Sequence, residues 1–413
     1  MAEKVLARTS GRDSVSAGEY VTAAVDRVMA HEAWTLCALR LLKLGIHRVF
    51  DPEKVIVILD HYFPAPTEQM ARGHAMARDL VEHFGIRHFL GNAGVCHQVL
   101  TEQGHILPGQ LVFGTDSHST TYGAVGAAGT GLGLTEVTYA LATGELWLRV
   151  PPTIRFVLDG RAAAGIMSKD VVLHVAGSFG TEVAQYRAIE YAGPAAARMS
   201  VSSRLTMANM GVELGAKFAF FEADEITCSY LSERTDAPIS PFGPDADACY
   251  EAVHEIDISG HEPQIACPHT PGNTKPVSEV GEVRVDQAFL GSCTHARVED
   301  LAVAAEILEG RKVHPGTRLL VTPASSRVFL DATRAGYTQT LLEAGAHLTT
   351  PGCGACPGGH GGLLAPGEVC LSSTNRNFVG RMGSAEAEVY LGSPASVAAA
   401  AVAGRIVDPR EFW

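Results

Sequence analysis

The chain has 413 residues, of which 46% are hydrophobic and 19% charged, values typical of a globular protein with two or three α/β domains. No apolar run approaches the roughly 18 residues needed to cross a bilayer, and the first residues lack the apolar core of a signal peptide, so we expect a cytoplasmic protein. A net charge of −13 disfavours general nucleic-acid binding, and nine irregularly spaced cysteines do not resemble a secreted disulfide framework.

Strand-like and helix-like stretches alternate along the chain, a pattern typical of layered α/β domains. Apolar runs predict buried parallel strands at KVIVILD (54–60), GQLVFGT (109–115), TIRFVLDG (153–160), VDQAFLGS (285–292) and TRLLVTP (317–323). Helices are predicted at TEVTYALATGELWL (135–148), EDLAVAAEILEG (299–310) and ASVAAAAVAGRIV (395–407). The segment 234–281 is rich in Pro, Asp, Gly and His and is predicted to form loops joining two halves.

Polar residues capable of chemistry follow three of these strands. The pair DH occupies 60–61, the triplet DSH occupies 116–118, and Cys293 ends the run AFLGSC. Ligands of open α/β sheets bind beyond the carboxyl ends of the strands. The three groups therefore predict one composite site.

Cys353 and Cys356 form a single CxxC in a glycine-rich stretch, with Cys293 as the best-placed third thiol. A redox pair would usually begin a helix, which the surrounding glycines do not favour. A structural zinc site would normally have four ligands, and no fourth is obvious. Three thiolates could also hold a 4Fe–4S cluster with one iron left without a protein ligand. Spacing alone leaves these alternatives open.

Six longer motifs occur in a recognisable order. The stretches GSCTHARVEDL (291–301), PGCGACPGGHGG (351–362) and STNRNFVGRMGS (373–384) resemble the GSCTN, GCGxC and NRNFxGRMG motifs of the aconitase superfamily. DHYFPAPT (60–67), GVCHQVL (94–100) and GTDSHSTTYGAVGAAGTGLG (114–133) resemble its DH, CHQ and DSH motifs. The resemblance spans nearly the whole chain and is nearest to large subunits of the 3-isopropylmalate dehydratase and homoaconitase type.

The resemblance implies an α/β fold of three α/β/α layered domains around a central cleft, without the swivelling fourth domain. We place the domains at 1–150, with the DH, CHQ and DSH motifs, at 151–282, and at 283–413, with the cysteines and arginines.

The resemblance also implies residue roles. It assigns a 4Fe–4S cluster, with one iron lacking a protein ligand, to Cys293, Cys353 and Cys356. The His–carboxylate pairs that serve the leaving hydroxyl are His61 with Asp60, His97 with Asp116, and His118 with Glu190. Arg376 and Arg381 match arginines that clamp substrate carboxylates, and Ser117 and Asn375 are further substrate-binding candidates.

Two positions depart from the family's pattern. His295 stands where GSCTN has its asparagine. Trp34 lies in MAHEAWTLCAL, where relatives read HDVT or HEVT, so we expect it near the substrate pocket, where its bulk would affect substrate choice.

These features together predict the cluster-bearing large subunit of a hydro-lyase or isomerase. The expected substrate is a 2-hydroxy di- or tricarboxylic acid, a substituted malate such as 3-isopropylmalate or a relative. A separate small subunit is the expected partner, because the swivelling domain with the base would otherwise follow residue 413. The alternatives are a zinc-dependent lyase using the same cysteines, or a cluster-less RNA-binding or scaffold protein.

Overall fold

The computed structural model describes residues 1–413, which form four β-sheets with helices packed against them. We call the five-stranded, four-stranded and seven-stranded sheets the first, second and third sheets, in chain order. No helix combines the length and the apolar character that crossing a membrane requires.

The first sheet is parallel throughout, with strand order β4-β3-β2-β5-β6, and β1 and β7 form a separate antiparallel pair. Its region contains the helices α1 (Ala2–Ser10), α2 (Trp34–Lys43), α3 (Glu68–His83), α4 (Cys96–Glu102) and α5 (Leu134–Thr143). The strands are β1 (Tyr20–Ala24), β2 (Arg27–Ala30), β3 (Val55–Val57), β4 (His88–Phe89), β5 (Leu111–Gly114), β6 (Ala128–Gly131) and β7 (Glu145–Arg149). A 3-10 helix covers Ser117–Val125.

The second sheet is also parallel, in the order β10-β9-β8-β11. Its strands are β8 (Thr153–Asp159), β9 (Ala188–Ala192), β10 (Phe218–Phe221) and β11 (Ala252–Asp257). The helices are α6 (Ser168–Phe179), α7 (Pro194–Ala197), α8 (Val201–Asn209) and α9 (Glu225–Ser232), with a 3-10 helix at Met210–Leu214.

The third sheet has the order β13-β12-β18-β17-β14-β15-β16 and is parallel except at β12, which pairs antiparallel with both neighbours. Its strands are β12 (Gln264–Ala266), β13 (Thr274–Pro276), β14 (Gln287–Leu290), β15 (Arg318–Val321), β16 (His347–Leu348), β17 (Val369–Ser372) and β18 (Glu388–Leu391). The helices are α10 (Val298–Leu308), α11 (Ser326–Arg334), α12 (Tyr337–Ala344) and α13 (Pro394–Ala403), with 3-10 helices at Val277–Glu279 and Pro409–Phe412.

The five predicted strands are confirmed as β3, β5, β8, β14 and β15, and each pairs in parallel with its sheet neighbours. Two other expectations are wrong. The helix predicted at 135–148 ends at Thr143, because Gly144 adopts φ 79°, and the following residues alternate between exposed and buried as β7. The predicted loops at 234–281 contain β11, β12 and β13, so the third sheet begins before the boundary we drew at 282/283.

The first and third sheets are joined next to their carboxyl ends. The backbone N–H of Val95 donates to the carbonyl of Ala324 at 2.8 Å, and Gly94 forms a bridge with Ser325. A Cβ atom at Gly94 would lie 2.4 Å from the Ser325 Cα, so only glycine fits this crossing. The contact sets the start of α4 against the third sheet.

Candidate active site

A cavity of about 100 Å³ lies between the carboxyl ends of strands from the first and third sheets. Its lining brings together residues predicted from widely separated motifs: Asp60, His61, His97, Asp116, His118, Cys293, Cys353, Cys356, Asn375, Arg376 and Arg381. Ser117 lines a neighbouring cavity, while its hydroxyl lies 3.4 Å from Nδ1 of His118.

Asp60 and His61 follow β3 and form the first acid–base pair. Nδ1 of His61 lies 2.7 Å from Oδ1 of Asp60, and the other carboxylate oxygen accepts the backbone N–H of Cys96 at 2.7 Å. Nε2 of His61 lies 3.2 Å from Oδ2 of Asp116. Burial alone would lower the pKa of His61, but Cys353, Asp60 and Asp116 outweigh it and raise that pKa well above its ordinary value. His61 therefore holds a proton between two carboxylates.

Asp116 follows β5 and caps the 3-10 helix that begins at Ser117. Its Oδ1 lies 2.7 Å from Nε2 of His97 and accepts the backbone N–H of His118 at 2.8 Å. Burial would raise the pKa of Asp116, but hydrogen bonds from His118, His61 and His97 hold it well below its ordinary value. Burial lowers the pKa of His97, so that pair consists of a neutral imidazole and a carboxylate.

His118 pairs with a different glutamate from the one we predicted. Its Nε2 lies 2.9 Å from Oε1 of Glu213, and Nε of Arg376 donates to the same oxygen at 2.6 Å. Burial would raise the pKa of Glu213, but His118 and Arg376 lower it. Glu190 instead binds the ammonium of Met1 at 2.5 Å and the hydroxyl of Tyr250 at 2.8 Å. The predicted pairing of His118 with Glu190 is therefore wrong, because β9 presents Glu190 to the N-terminal residue.

Cys293 follows β14, and Cys353 and Cys356 lie in the loop after β16. The side-chain amides of Asn209 and Asn375 donate to Sγ of Cys293 at 3.1 and 3.2 Å. Burial raises the pKa of Cys293 to about 12, so its thiol is neutral until a metal replaces the proton.

The thiols of Cys293, Cys353 and Cys356 line one cavity, and the sulfur of Cys353 lies within 4.8 Å of ligand atoms of Asp60 and His61. Amide donors to a ligating sulfur are a common feature of iron–sulfur sites. The donor set of this cavity is thus suited to such a cluster.

Arg376 and Arg381 reach the cavity from the loop that follows β17. Arg376 uses Nε to bind Glu213, while Nη2 of Arg381 lies 3.5 Å from Sγ of Cys356. The Nε of Arg381 is buried without a hydrogen-bond partner. The structure thus holds two guanidinium groups against the cysteines and histidines, where they can bind carboxylates.

Trp34 is not part of the cavity, and the expectation that it lies near the substrate is wrong. Its side chain is completely buried in the core below the first sheet, where its indole N–H donates to the carbonyl of Ala77 at 3.2 Å and its ring packs on Phe84. As the first residue of α2, Trp34 faces α3 instead of the strand ends. His295 is also outside the cavity lining, with Nδ1 2.9 Å from the carbonyl of Ser373.

Several residues at the site were missed by sequence reasoning. Oε1 of Glu32 accepts the backbone N–H groups of His61 and Tyr62, each at 3.0 Å. Asn209 ends α8 and Glu213 follows four residues later in the 3-10 helix at Met210–Leu214, and this spacing of polar residues in an apolar stretch was the available signal.

Arg297 is a further residue that the motifs did not single out. It is 2% exposed, and its guanidinium donates to the carbonyls of Cys293 and Thr294 at 2.9 and 2.7 Å and to Oε1 of Gln98 at 2.8 Å. It therefore fixes the loop that carries Cys293.

Comparisons with known proteins found a family model and curated relatives that match nearly the whole chain. The model of the aconitase family (aconitate hydratase) matches residues 3–404. The "3-isopropylmalate dehydratase large subunit 1" of Methanopyrus kandleri is 48% identical, covering 100% of this chain and 99% of that protein. The "3-isopropylmalate dehydratase large subunit" of Hydrogenobaculum sp. is 44% identical, covering 99% of this chain and 97% of that protein.

A solved structure shares the fold. The holo-form of aconitase X from Thermococcus kodakaraensis superposes with a TM-score of 0.51 over 86% of this chain and 84% of that chain, at 13% identity. The ordered motifs, the α/β fold and the relatives together indicate that this enzyme is a hydro-lyase. The chain belongs to the aconitase family.

Proposed function

We propose that this chain is the cluster-bearing large subunit of an enzyme that dehydrates and rehydrates a 2-hydroxy acid with two or more carboxylates. The observation that carries the proposal is the single cavity in which three cysteines, a histidine between two carboxylates, and two arginines meet. The substrate is a substituted malate such as 3-isopropylmalate or a relative, in keeping with the names of the curated relatives.

Family membership implies an iron–sulfur cofactor, and Cys293, Cys353 and Cys356 are the residues that would hold it. We infer a 4Fe–4S cluster with one iron free of protein ligands, because the cavity offers three thiols. When bound, such a cluster supplies a Lewis acid for a carboxylate and a hydroxyl of the substrate. Burial of the thiols and the amide donors on Cys293 fit this role.

The acid–base work falls to the chain's own histidines. His61 carries a proton on Nε2 while Asp60 fixes Nδ1, so it is placed to give that proton to a leaving hydroxyl. Asp116 stays ionised and stabilises the charged imidazole. His97 and His118 line other parts of the cavity. The hydrogen bond from each imidazole to a carboxylate fixes the orientation of its ring.

Substrate carboxylates are the ligands of Arg376 and Arg381. Their forked guanidinium groups suit bidentate binding, which orients the C–H and C–OH bonds that break. Ser117 and Asn375 add hydrogen-bonding groups at the edges of the cavity.

The group that removes the proton alpha to the carboxylate is assigned to a separate small subunit. This partner matches the "large subunit" names of the relatives. Nine free cysteines agree with a reducing compartment, for which we propose the cytoplasm. The relatives favour neither the zinc-lyase alternative nor the RNA-binding or scaffold alternative.

The test is an assay of the anaerobically reconstituted chain, with and without a candidate small subunit, on a panel of malates with different 3-substituents. We expect dehydration of at least one substituted malate only when both chains are present. Turnover by the large chain alone would overturn the division of labour. No turnover of any malate by a fully loaded complex would overturn the proposed reaction.

A further inference from the structure

Lys169, the second residue of α6, lies outside the mechanism described above and is completely buried. Its ammonium donates to the carbonyl of Ser373 at 3.3 Å and also to the carbonyl of Thr374. We propose that Lys169 is a positioning residue that fixes Asn375 and Arg376 in the active site. The proposal rests on the proposed function, because those two residues are assigned there to substrate and cluster.

Burying the charged side chain of Lys169 costs free energy, so the contacts that offset this cost indicate what the residue does. Burying an ammonium group costs several kcal/mol unless hydrogen bonds or a counter-ion compensate. No carboxylate forms an ion pair with Lys169, and its neighbour Asp170 instead accepts the backbone N–H groups of Met167 and Gln264 at 2.8 and 2.9 Å. Burial lowers the pKa of Lys169 to about 7. Two backbone carbonyls, with Sδ of Met210 at 3.9 Å, are thus the hydrogen-bond acceptors that the fold provides.

Those carbonyls belong to the segment that leads into the site. Ser373 and Thr374 follow β17 directly and precede Asn375 and Arg376. His295, the departure from the family's motif, adds a second nitrogen 2.9 Å from the same Ser373 carbonyl. The segment is therefore held from the second-sheet region by Lys169 and from the cysteine loop by His295.

Fixing the backbone at 373–374 also fixes the contacts of the next two residues, Asn375 and Arg376. Nδ2 of Asn375 lies 3.2 Å from Sγ of Cys293, and Nε of Arg376 lies 2.6 Å from Oε1 of Glu213. Both contacts require the backbone at 373–374 to keep its direction. Without the ammonium, the buried carbonyl of Thr374 loses its donor and that of Ser373 keeps only His295, so the segment can rotate toward other partners.

The first experiment measures hydrogen–deuterium exchange of the metal-free chain. Lys169→Met removes the charge and keeps the length, Lys169→Arg keeps the charge, and Lys217→Met is the control. Lys217 is a second lysine whose pKa burial lowers, to about 8, and its ammonium lies over Tyr186, away from the segment. We expect exchange of the peptide 373–381 to rise at least tenfold in Lys169→Met only, with the other peptides unchanged.

Two results would overturn the proposal. One is wild-type exchange of 373–381 in Lys169→Met, and the other is an equal rise across all peptides, which would indicate a general stabilising role. If Lys169→Met does not fold, Lys169→Gln, which is neutral and shorter, is measured by the same criteria.

The second experiment uses the reconstituted complex with its small subunit and a malate that it dehydrates. We expect Lys169→Met to raise KM at least tenfold at unchanged iron content, with partial rescue by Lys169→Arg. An unchanged KM would contradict the positioning role. Absence of turnover in the wild-type complex would instead count against the proposed function, and the exchange result would still decide the role of Lys169.

Discussion

Asp116 is the residue on which the acid–base groups of the site converge. His97 contacts one of its carboxylate oxygens at 2.7 Å, His61 contacts the other at 3.2 Å, and His118 donates its backbone N–H at 2.8 Å. These hydrogen bonds keep the Asp116 carboxylate ionised. The carboxylate in turn helps to raise the pKa of His61, so that His61 stays protonated. One carboxylate thus connects three histidines of the site.

Replacing this residue tests the arrangement at the residue scale. We expect Asp116→Asn to lower kcat by about 10²–10⁴-fold, because an amide carries no charge to keep His61 protonated, and its one oxygen cannot accept from both His97 and His61. Steady-state kinetics of the reconstituted complex is the measurement, with the unfolding midpoint recorded in parallel. Asp245→Asn, at an exposed carboxylate paired with Lys4, is the matched control. A kcat within twofold of wild type would contradict the role of Asp116.

Single residues also show how far the sequence could predict the site. The pairs at Asp60 and Asp116 were predictable, because each follows a buried strand and carries or faces a histidine of an ordered motif. The partner of His118 was not, because Glu190 and Glu213 both lie in apolar surroundings and only the fold distinguishes them. The prediction for Trp34 failed for a similar reason: its place in a motif says nothing about which face of α2 it occupies.

Among the structural elements, the loop between β14 and α10 depends on one buried side chain. Arg297 donates to the carbonyls of Cys293 and Thr294 and to Gln98, which joins this loop to α4. Its shape is unusual, since Ser292 and Ala296 on either side of Cys293 have φ values of 78° and 64°. A backbone of this kind persists only where its surroundings hold it.

Removing this support should destabilise the chain before any cofactor is considered. We expect Arg297→Met to reduce the free energy of unfolding of the metal-free chain by about 3 kcal/mol, since several buried acceptors lose their donors. Denaturant-induced unfolding measures it, with Arg327→Met, at an exposed arginine on α11, as control. A loss no greater than that of the control would show that the loop holds its shape without Arg297.

Near the edge strand β4, a buried histidine makes the stability of the fold depend on pH. Burial lowers the pKa of His105 to about 4, and the neighbouring His88 and Arg27 add to the shift. The native state therefore keeps His105 neutral while the unfolded chain binds a proton near pH 6.5, so stability falls as the pH drops from about 7 toward 4. His88 lies on β4 with its ring centroid 5.0 Å from that of His105.

We expect His105→Gln to lose less stability than wild type between pH 7.5 and pH 5, because the variant has no group there whose protonation favours unfolding. Unfolding of the metal-free chain in denaturant at both values is the measurement. His47→Gln, at an exposed histidine, should retain the wild-type dependence. Equal losses in His105→Gln and wild type would remove His105 as the source.

At the scale of the whole molecule, sheets from distant parts of the chain cooperate at one cavity. The buried parallel strands were predictable from apolar runs, and the meeting of their carboxyl ends follows from the architecture. The strands between 252 and 276 were not, because β11 has the sequence AVHEID, in which only one side chain is buried, and β12 and β13 are three residues long each. Periodicity identifies buried strands more readily than edge strands.

The whole molecule is also the scale of the central claim, that Cys293, Cys353 and Cys356 together hold an open iron–sulfur cluster. Anaerobic reconstitution of the metal-free chain with iron and sulfide tests it directly, with Cys353→Ser as the disabling variant. Cys370→Ser is the control, since Cys370 is equally buried but lies in β17, outside the cavity lining.

Iron content, read with the absorption and EPR spectra after mild oxidation, is the measurement that decides. We predict about four irons per chain, a broad visible band and a three-iron signal for wild type and Cys370→Ser, and loss of all three in Cys353→Ser. Equal iron in wild type and Cys353→Ser, or one zinc per chain without a visible band, would contradict the account.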